Sequence, residues 1–473
     1  VRDWLAAHPP DSVALRFAEE AISYGALDAR ARAMAAALAA RGVQRGDRIG
    51  FLGQNHPAQI ALLFACARLG AILVPLNWRL AAPEWRFILE DCGARLLLAT
   101  PDMLSAAQAV HGSAVDATTL EASGDASAGG AEEDPVLLVY TSGTTGRPKG
   151  AVLGQMALQA NALNACHAFA LTPEDRVLTV LPLFHVGGLN IQTTPALMAG
   201  AEVLLHPRFE PDLFFDAVAR DRPTLSLLVP AVMQALVAHP RWAGADLSSL
   251  RAIGAGSSDV PVPLIEAFHA RGIPVQQVYG ATETCPIAII QDRAEALAAP
   301  GSLGRPALHA EARIAGGGTE GEILVRGPAT LRAYWPDVPA LDAEGWFATG
   351  DVGRIDAEGR FWFTDRLKHV IISGGENIYP AEVERLLRTA PGVAEGAVIG
   401  RPDPRWGEVP VAVVVPGPGF EAARVLAHFE GQIARFKIPR AVVTLPTLPR
   451  TALGKVAVAR LREMVGLAGH PGA

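Results

Sequence analysis

The residues best equipped for chemistry sit together at 140–150, YTSGTTGRPKG, directly behind the apolar run PVLLV. Thr141, Ser142, Thr144 and Thr145 offer hydroxyl donors, Gly143 and its fellow glycines let backbone N–H groups approach an anion, and Lys149 adds a positive charge. This composition suits phosphate. A Walker-type loop, GxxxxGK[ST], does not fit: counted from Gly143, Pro148 stands where the second glycine belongs, and Gly150 follows Lys149 in place of a metal-binding Ser or Thr. The bland alternative, a flexible surface turn, loses ground because so long a run of this composition follows an apolar strand.

The segment TSGTTGRPKG resembles the phosphate-loop signature of the acyl-adenylate-forming (AMP-binding) superfamily, which includes acyl-CoA synthetases, luciferases and peptide-synthetase adenylation domains. LPLFHVGG (181–188), YGATET (279–284), TGD (349–351), DRLKHVIISGGENIYPAEVE (365–384) and PRTALGK (449–455) follow in that family's order and approximate spacing. The similarity runs from about residue 12 to 460. It implies two-step chemistry. A carboxylate attacks the α-phosphorus of ATP and releases pyrophosphate, and a thiol then displaces AMP from the acyl-adenylate. The first step brings an anion to a polyanion, so the site must supply positive charge and fixed donors.

The resemblance also implies roles for individual residues. Thr141, Ser142, Gly143, Thr144, Thr145 and Lys149 would hold the β- and γ-phosphates of ATP. Gly254, Ala255 and Gly256, in GAGS, would form one wall of the adenine slot, although GAGS alone is a common turn. Tyr279, followed by Gly280, would pack on the adenine, and Thr282 would contact the α-phosphate. Glu283 would hold Mg²⁺, since a carboxylate beside phosphates repels them unless a cation bridges the two; taken alone it reads as a helix-entry acid. Asp351 would accept both ribose hydroxyls. Arg366 would reach ribose or phosphates, or else forms a surface ion pair. Lys455 is the catalytic candidate: carried on a mobile tail, it would bridge carboxylate and α-phosphate as charge develops and then withdraw. Away from its motif, a lysine there would be read as solvated. Lys368 matches the family's hinge. Rotation about it would bring Gly374 and Gly375, otherwise a simple turn, to a channel for the coenzyme A thiol arm. His369 departs from the family pattern, which usually has an acidic residue there.

Residues 181–201 contain no Asp, Glu, Lys or Arg. An amino-acid substrate would need an acid here and a dicarboxylate a base, so the expected substrate is an uncharged monocarboxylic acid, fatty or aromatic. His185 is either a gate beside the carboxylate or a satisfied core histidine. Leu189, Asn190, Ala281, Cys285 and Pro286 are the candidate wall residues; Asn190 either hydrogen-bonds a phenolic or hydroxyl group or caps a helix. No carrier-type serine motif follows Lys455, so free coenzyme A is the expected acceptor. Two alternatives stand beside this reading: a stand-alone enzyme that loads a separate carrier protein, and a non-catalytic nucleotide- or acyl-binding sensor. The presence of Lys455, Glu283 and Asp351 argues against the sensor.

The elements that must position these residues are α/β in kind. Helical and strand patterns alternate through the first two thirds: 26–41 helical, 47–52 a strand, 57–69 helical, 71–76 a strand. This rhythm implies mostly parallel sheets flanked by helices. Residues 151–172 read as one buried helix whose amides find protein, water or ligand partners, and 121–133 as a surface connector. After Gly301, short glycine-broken strands suggest a small antiparallel, β-barrel-like unit. From 367 a compact α+β tail follows, with helices at 380–389 and 425–436. The expected division is therefore an N-terminal domain, 1–366, with the ATP and acyl sites, and a mobile C-terminal domain, 367–473. The net charge of −7 argues against nucleic acid and anionic membranes. Four cysteines without CxxC spacing suggest a reducing, cytoplasmic setting and no structural metal. No transmembrane segment is expected, because prolines and glycines break the apolar stretch 177–201. Homodimerisation stays open.

Overall fold

The computed structural model describes all residues except 123–128, 142–147, 257–259, 374–375, 404–405, 431, 434, 452–453 and 467–473, together with the side chains of 368, 372, 376 and 377. The chain divides into two compact units. One comprises Val1–Arg313, Leu324–Ala348 and Asp356–Trp362; the other comprises Ile314–Ile323, Thr349–Ile355 and Phe363–Ala473.

Short runs of leucine, isoleucine and valine make the strands, and several are buried along their whole length: Ile72–Leu76, Leu96–Ala99 and Leu225–Leu228. Such runs are what a parallel sheet needs when helices cover both faces. A nine-stranded sheet has a parallel centre in the order Val275–Tyr279, Ala252–Gly256, Leu225–Leu228, Arg176–Thr179, Glu202–Leu205 and Val13–Phe17. Antiparallel strands flank it: Ile289–Ile290 and Arg305–Pro306 on one edge, Glu20–Ser23 on the other. An eight-stranded sheet has Pro135–Thr141, Ile72–Leu76, Arg48–Leu52, Leu96–Ala99 and Ala114–Asp116 in parallel. Lys149–Gly154, Ala333–Tyr334 and Val338–Pro339 extend it antiparallel. The glycine-broken strands form a four-stranded sheet of Glu311–Ile314, Glu320–Arg326, Phe347–Ile355 and Phe361–Arg366. In the tail, Val393–Asp403 and Gly407–Pro416 make a long antiparallel pair, with Ala441–Thr444 parallel to the second. The fold is α/β with mixed sheets.

Most expected elements lie where the periodicity put them. The first long helix is Tyr24–Ala40, with the Ser23 hydroxyl accepting from the Ala26 N–H at 3.2 Å. The second, Pro57–Leu69, opens on a proline and stops at Gly70, whose φ is 69°. Two expected helices are shorter than their patterns. Residues 151–154 belong to the strand Lys149–Gly154, because Pro135–Thr141 pairs with them, and the helix is Gln155–Phe169. The tail helix is Ala422–His428 and does not reach 436; Gly431, a poor helix former, follows in the sequence. No helix among the described residues is long and apolar enough to cross a membrane.

One ion pair, with its carboxylate buried and its guanidinium half-buried, fixes the base of the nine-stranded sheet. Asp175, Thr224 and Arg251 each stand just before a parallel strand: Arg176–Thr179, Leu225–Leu228 and Ala252–Gly256. Arg251 reaches both Asp175 oxygens at 2.9 Å, the Thr224 hydroxyl donates to one at 2.6 Å, and the Thr172 N–H donates to the other at 3.0 Å. Burial alone would raise the Asp175 carboxyl, but these donors outweigh it and hold it below the ordinary carboxylate range. A depressed carboxyl stabilises the fold above its unfolded pKa and loses that contribution as pH falls through its folded value. Asp175→Asn leaves the half-buried guanidinium partly unpaired. It should cost about 2 kcal/mol in urea denaturation at neutral pH, and less as pH is lowered into the acid range. An unchanged midpoint at neutral pH would show that the pair holds nothing together.

Candidate active site

The candidate site residues of the larger unit cluster at the carboxyl ends of the parallel strands, where ligands bind in open α/β sheets. The chain leaves Arg176–Thr179 through LPLFHVGG. Asn55 secures this segment: its side chain donates to the Leu181 carbonyl at 3.0 Å and accepts from the Leu183 N–H at 2.8 Å. His185 caps the short helix Val186–Gly188, with Nδ1 accepting from the Gly187 N–H at 3.0 Å. That bond puts the proton of the neutral ring on Nε2. A π-helical turn, Leu189–Thr193, comes next.

Among the candidate wall residues, Leu189, Asn190, Cys285 and Pro286 are buried and Ala281 is half-buried. The structure brings Asn190 and Cys285 together: Asn190 Nδ2 lies 3.6 Å from Cys285 Sγ, and its Oδ1 accepts from the Thr194 hydroxyl at 3.2 Å. Burial pushes the Cys285 thiol well up, so it stays protonated. The amides of Gln155–Phe169 find protein partners. Asn161 donates to the Asn190 carbonyl at 2.6 Å and accepts from the Ile287 N–H at 3.0 Å. Asn164 accepts from the His309 N–H at 2.7 Å and lies 3.4 Å from the Ile287 carbonyl.

YGATET begins at the end of Val275–Tyr279. Gly280 has φ 157°, and a Cβ there would stand 1.7 Å from the Pro286 carbonyl oxygen, so only glycine makes this turn. The Thr284 hydroxyl closes the loop, accepting from the Ala281 N–H and donating to the Pro286 carbonyl, each at 2.9 Å. Thr282 is buried and Glu283 half-buried in the 3₁₀ turn Thr282–Thr284. Gly254, Ala255 and Gly256 end the neighbouring parallel strand, in register with Gln276, Gln277 and Val278, so they and Tyr279 occupy adjacent strand ends.

The phosphate-type loop joins two antiparallel strands, and Thr141 and Lys149 are its last paired residues. Ser142, Gly143, Thr144 and Thr145 lie outside the described residues. Lys149 Nζ sits 5.6 Å from the Tyr334 ring centroid, and the Tyr334 hydroxyl donates to Glu283 Oε1 at 2.9 Å. Tyr334 is anchored by pairing with Ala151, and the Leu331 N–H donates to the Glu283 carbonyl at 2.8 Å. Burial first, and then the Glu283 charge, push the Tyr334 phenol up, so it stays a donor. Tyr334 thus links the lysine of one motif to the carboxylate of another. Sequence reasoning passed over it, because it lies in a stretch, LRAYWPD, with no motif of its own. One half-buried carboxylate oriented by a phenol is a donor set that fits Mg²⁺, which takes one or two carboxylates and fills its sphere with phosphate and water. Among the described residues no cluster of three or more His, Cys, Asp or Glu makes an all-protein cage.

The smaller unit holds the remaining candidates. Asp351, 6% exposed, lies in Phe347–Ile355, and Arg366 Nε is 2.6 Å from its Oδ1. The structure therefore pairs the two proposed ribose contacts with each other. Asp365 accepts from the Arg366 and Ala381 N–H groups, each at 2.6 Å, tying strand Phe361–Arg366 to helix Pro380–Leu387. Lys368 lies between them in the turn Leu367–His369. Gly374 and Gly375 are outside the described residues. Lys455 is exposed, and its carbonyl accepts from the Thr451 N–H at 2.7 Å.

Residues 1–335 match the family described as AMP-binding enzyme, and 382–455 match the AMP-binding enzyme C-terminal domain. The chain is 49% identical to the indoleacetate–CoA ligase of Aromatoleum aromaticum, covering 98% of each. It is 42% identical to a feruloyl-CoA synthase of an Amycolatopsis species, covering 97% of this chain and 96% of that one. The o-succinylbenzoate CoA synthetase of Bacillus subtilis, solved with its acyl-adenylate, superposes with a TM-score of 0.90 at 32% identity, covering 100% of this chain and 99% of the other. That enzyme is also known with ATP and a magnesium ion. The chain belongs to the AMP-binding enzyme family. It is an AMP-forming acyl-CoA synthetase, an acid–thiol ligase that converts a carboxylic acid to acyl-AMP with release of pyrophosphate and passes the acyl group to coenzyme A, using Mg²⁺ and ATP.

The Lys149–Tyr334–Glu283 contacts lead to a sharp expectation. Tyr334→Phe keeps a ring beside Lys149 and removes the hydrogen bond that orients Glu283. The Mg²⁺ concentration for half-maximal pyrophosphate release should rise about fivefold, equivalent to roughly 1 kcal/mol, with the melting temperature nearly unchanged. An unaltered Mg²⁺ titration would remove Tyr334 from the site.

Proposed function

We propose that the acid is an uncharged aryl monocarboxylate of the arylacetic or hydroxycinnamic kind. The observation that carries the uncharged monocarboxylate is the charge-free acyl segment 181–201, whose Leu189 and Asn190 pack in the interior with Cys285. A buried segment of this kind offers no partner to a substrate ammonium or second carboxylate, which would enter at a large desolvation cost. The choice of an aryl over a fatty acid is supported by resemblance, over nearly the whole chain, to ligases named for indoleacetate and ferulate.

In this proposal residues 1–366 hold the ATP and acid, and 367–473 form the moving domain, hinged at Lys368. Thr141–Thr145 (141–145) and Lys149 take the β- and γ-phosphates. Gly254–Gly256 (254–256), Tyr279 and Gly280 take the adenine, Asp351 and Arg366 the ribose, and Thr282 the α-phosphate. Glu283 is the carboxylate for Mg²⁺, which supplies charge neutralisation on the phosphates. His185, its proton on Nε2, serves as a neutral neighbour of the acid's carboxylate. Lys455 supplies the cation of the adenylation step, and Gly374 and Gly375 line the path of coenzyme A. The four free cysteines, three of them buried, suit a cytoplasmic enzyme.

Pyrophosphate release with Mg-ATP, measured over matched fatty and aryl acids with and without coenzyme A, tests the class. Aryl acids should give the highest kcat/KM, with AMP and thioester appearing only when coenzyme A is present; a preference for fatty acids would overturn the aryl reading. A second measurement isolates the lysine. Lys455→Ala should slow adenylate formation by about 10²–10³-fold, as loss of a positioned transition-state donor does, and leave thioester formation from supplied adenylate within about threefold. Equal loss in both half-reactions would refute a role confined to adenylation.

A further inference from the structure

Gln192 differs from every other amide near the acyl segment. It is 1% exposed, yet neither Nε2 nor Oε1 has a hydrogen-bond partner among the described residues. A buried amide left unpaired costs about 1–3 kcal/mol per polar atom, so a partner outside the protein is expected. Gln192 lines a narrow cavity of about 10 Å³ with Leu178, Val180, Leu181, Gly188 and Leu227. Leu181 and Gly188 are the two ends of the segment that carries His185. The threonines at the same cavity are committed: the Thr179 and Thr193 hydroxyls lie 2.8 Å apart, and Thr193 donates to the Gly188 carbonyl at 2.7 Å. Opposite Gln192 the strand carries Gly254, where a Cβ would stand 3.0 Å from Gln192 Nε2, Leu227 Cδ1 and Phe169 Cζ alike. The absence of a side chain at 254 therefore lets the Gln192 amide, Leu227 and Phe169 pack directly against the strand. The residue itself sits on a π-helical turn, a local distortion frequent at functional sites.

We propose that Gln192 is a specificity-determining residue at the inner end of the acyl pocket, hydrogen-bonding a polar atom on the ring of the acid, an N–H or a phenolic O–H. Oε1 accepts from either group and Nε2 also donates to a phenol oxygen, while the surrounding leucines and valine pack on the ring. At about 10 Å³ the cavity admits at most one water-sized group, which matches a ring's polar tip rather than the ring. This inference rests on the aryl-acid reading above and deepens it.

A site built to hydrogen-bond a substrate group rejects the analogue without it, because its own polar atoms are then left unpaired. The test uses two pairs of acids, indole-3-acetate with its N-methyl analogue and 4-hydroxycinnamate with cinnamate, in the purified enzyme and in Gln192→Met. The enzyme should prefer at least one N–H or O–H member by about tenfold or more in kcat/KM. Gln192→Met, similar in volume and apolar, should shrink that preference to within about twofold by losing rate on the polar member while the apolar member is spared. A preference that survives the substitution, with the apolar acid still turned over, would assign Gln192 to an internal water and overturn the proposal. Absence of any preference in the unmodified enzyme overturns it without recourse to a variant. Turnover of fatty acids only would defeat the aryl reading itself, an outcome distinct from both.

Discussion

The site's architecture depends on amide side chains of one helix bonding to backbone groups of segments far away in sequence. Gln155 donates to the carbonyls of Ala67 and Ala131 at 2.9 and 3.1 Å. Asn161 and Asn164 hold the carbonyl of residue 190, both backbone groups of residue 287 and the N–H of residue 309. These backbone groups lie in loops and helical turns outside the sheets, and each would be costly to bury alone. The helix thus does two jobs at once. Its alanines and leucines fill the core, while its amides set where the acyl wall and the YGATET loop come to rest.

Within each unit, charged candidates are held in pairs. In the larger unit, Tyr334 occupies a Glu283 oxygen and presents its ring to Lys149. In the smaller, Arg366 faces the buried Asp351. A half-buried charge without a counterpart is expensive, so the protein supplies provisional partners. In the roles proposed above, ATP would offer replacements of matching kind: phosphates for Lys149, a phosphate-bound cation for Glu283, hydroxyls for Asp351. Under that proposal binding would be an exchange of partners, which lowers its cost.

Sequence reached far into this fold where the physics is local. The helix Pro57–Leu69 has a proline at its start and a left-handed glycine at its end, and its limits could be read directly. Gly280 shows why YGATET needs its second residue: the close approach of Pro286 admits no Cβ. The misses were non-local. Residues 151–154 carry a helical composition but pair as a strand, because register with Pro135–Thr141 outweighs propensity. Tyr334 and Asn55 carry no motif, and their importance lies wholly in partners distant along the chain, Glu283 for one and residues 181–183 for the other. Nothing in one sequence announces such pairs.

Asn190 and Gln192 sharpen that point. Two residues apart on one π-helical turn, both are fully buried amides, and sequence alone favours Asn190 as the recognition group because it follows the motif closely. The fold spends Asn190 on structure, with Thr194 on its oxygen and Cys285 at its nitrogen. Gln192 is left with its donors and acceptor uncommitted among the described residues. What qualifies a buried amide for recognition is therefore not its type or its place in a motif but whether the surrounding structure has already used its hydrogen bonds. The adenylation machinery is written in charged and hydroxylic residues that a motif preserves, whereas selectivity for the acid depends on neutral side chains whose state is decided by packing. That difference is why the class of reaction is legible from sequence and the identity of the acid is not.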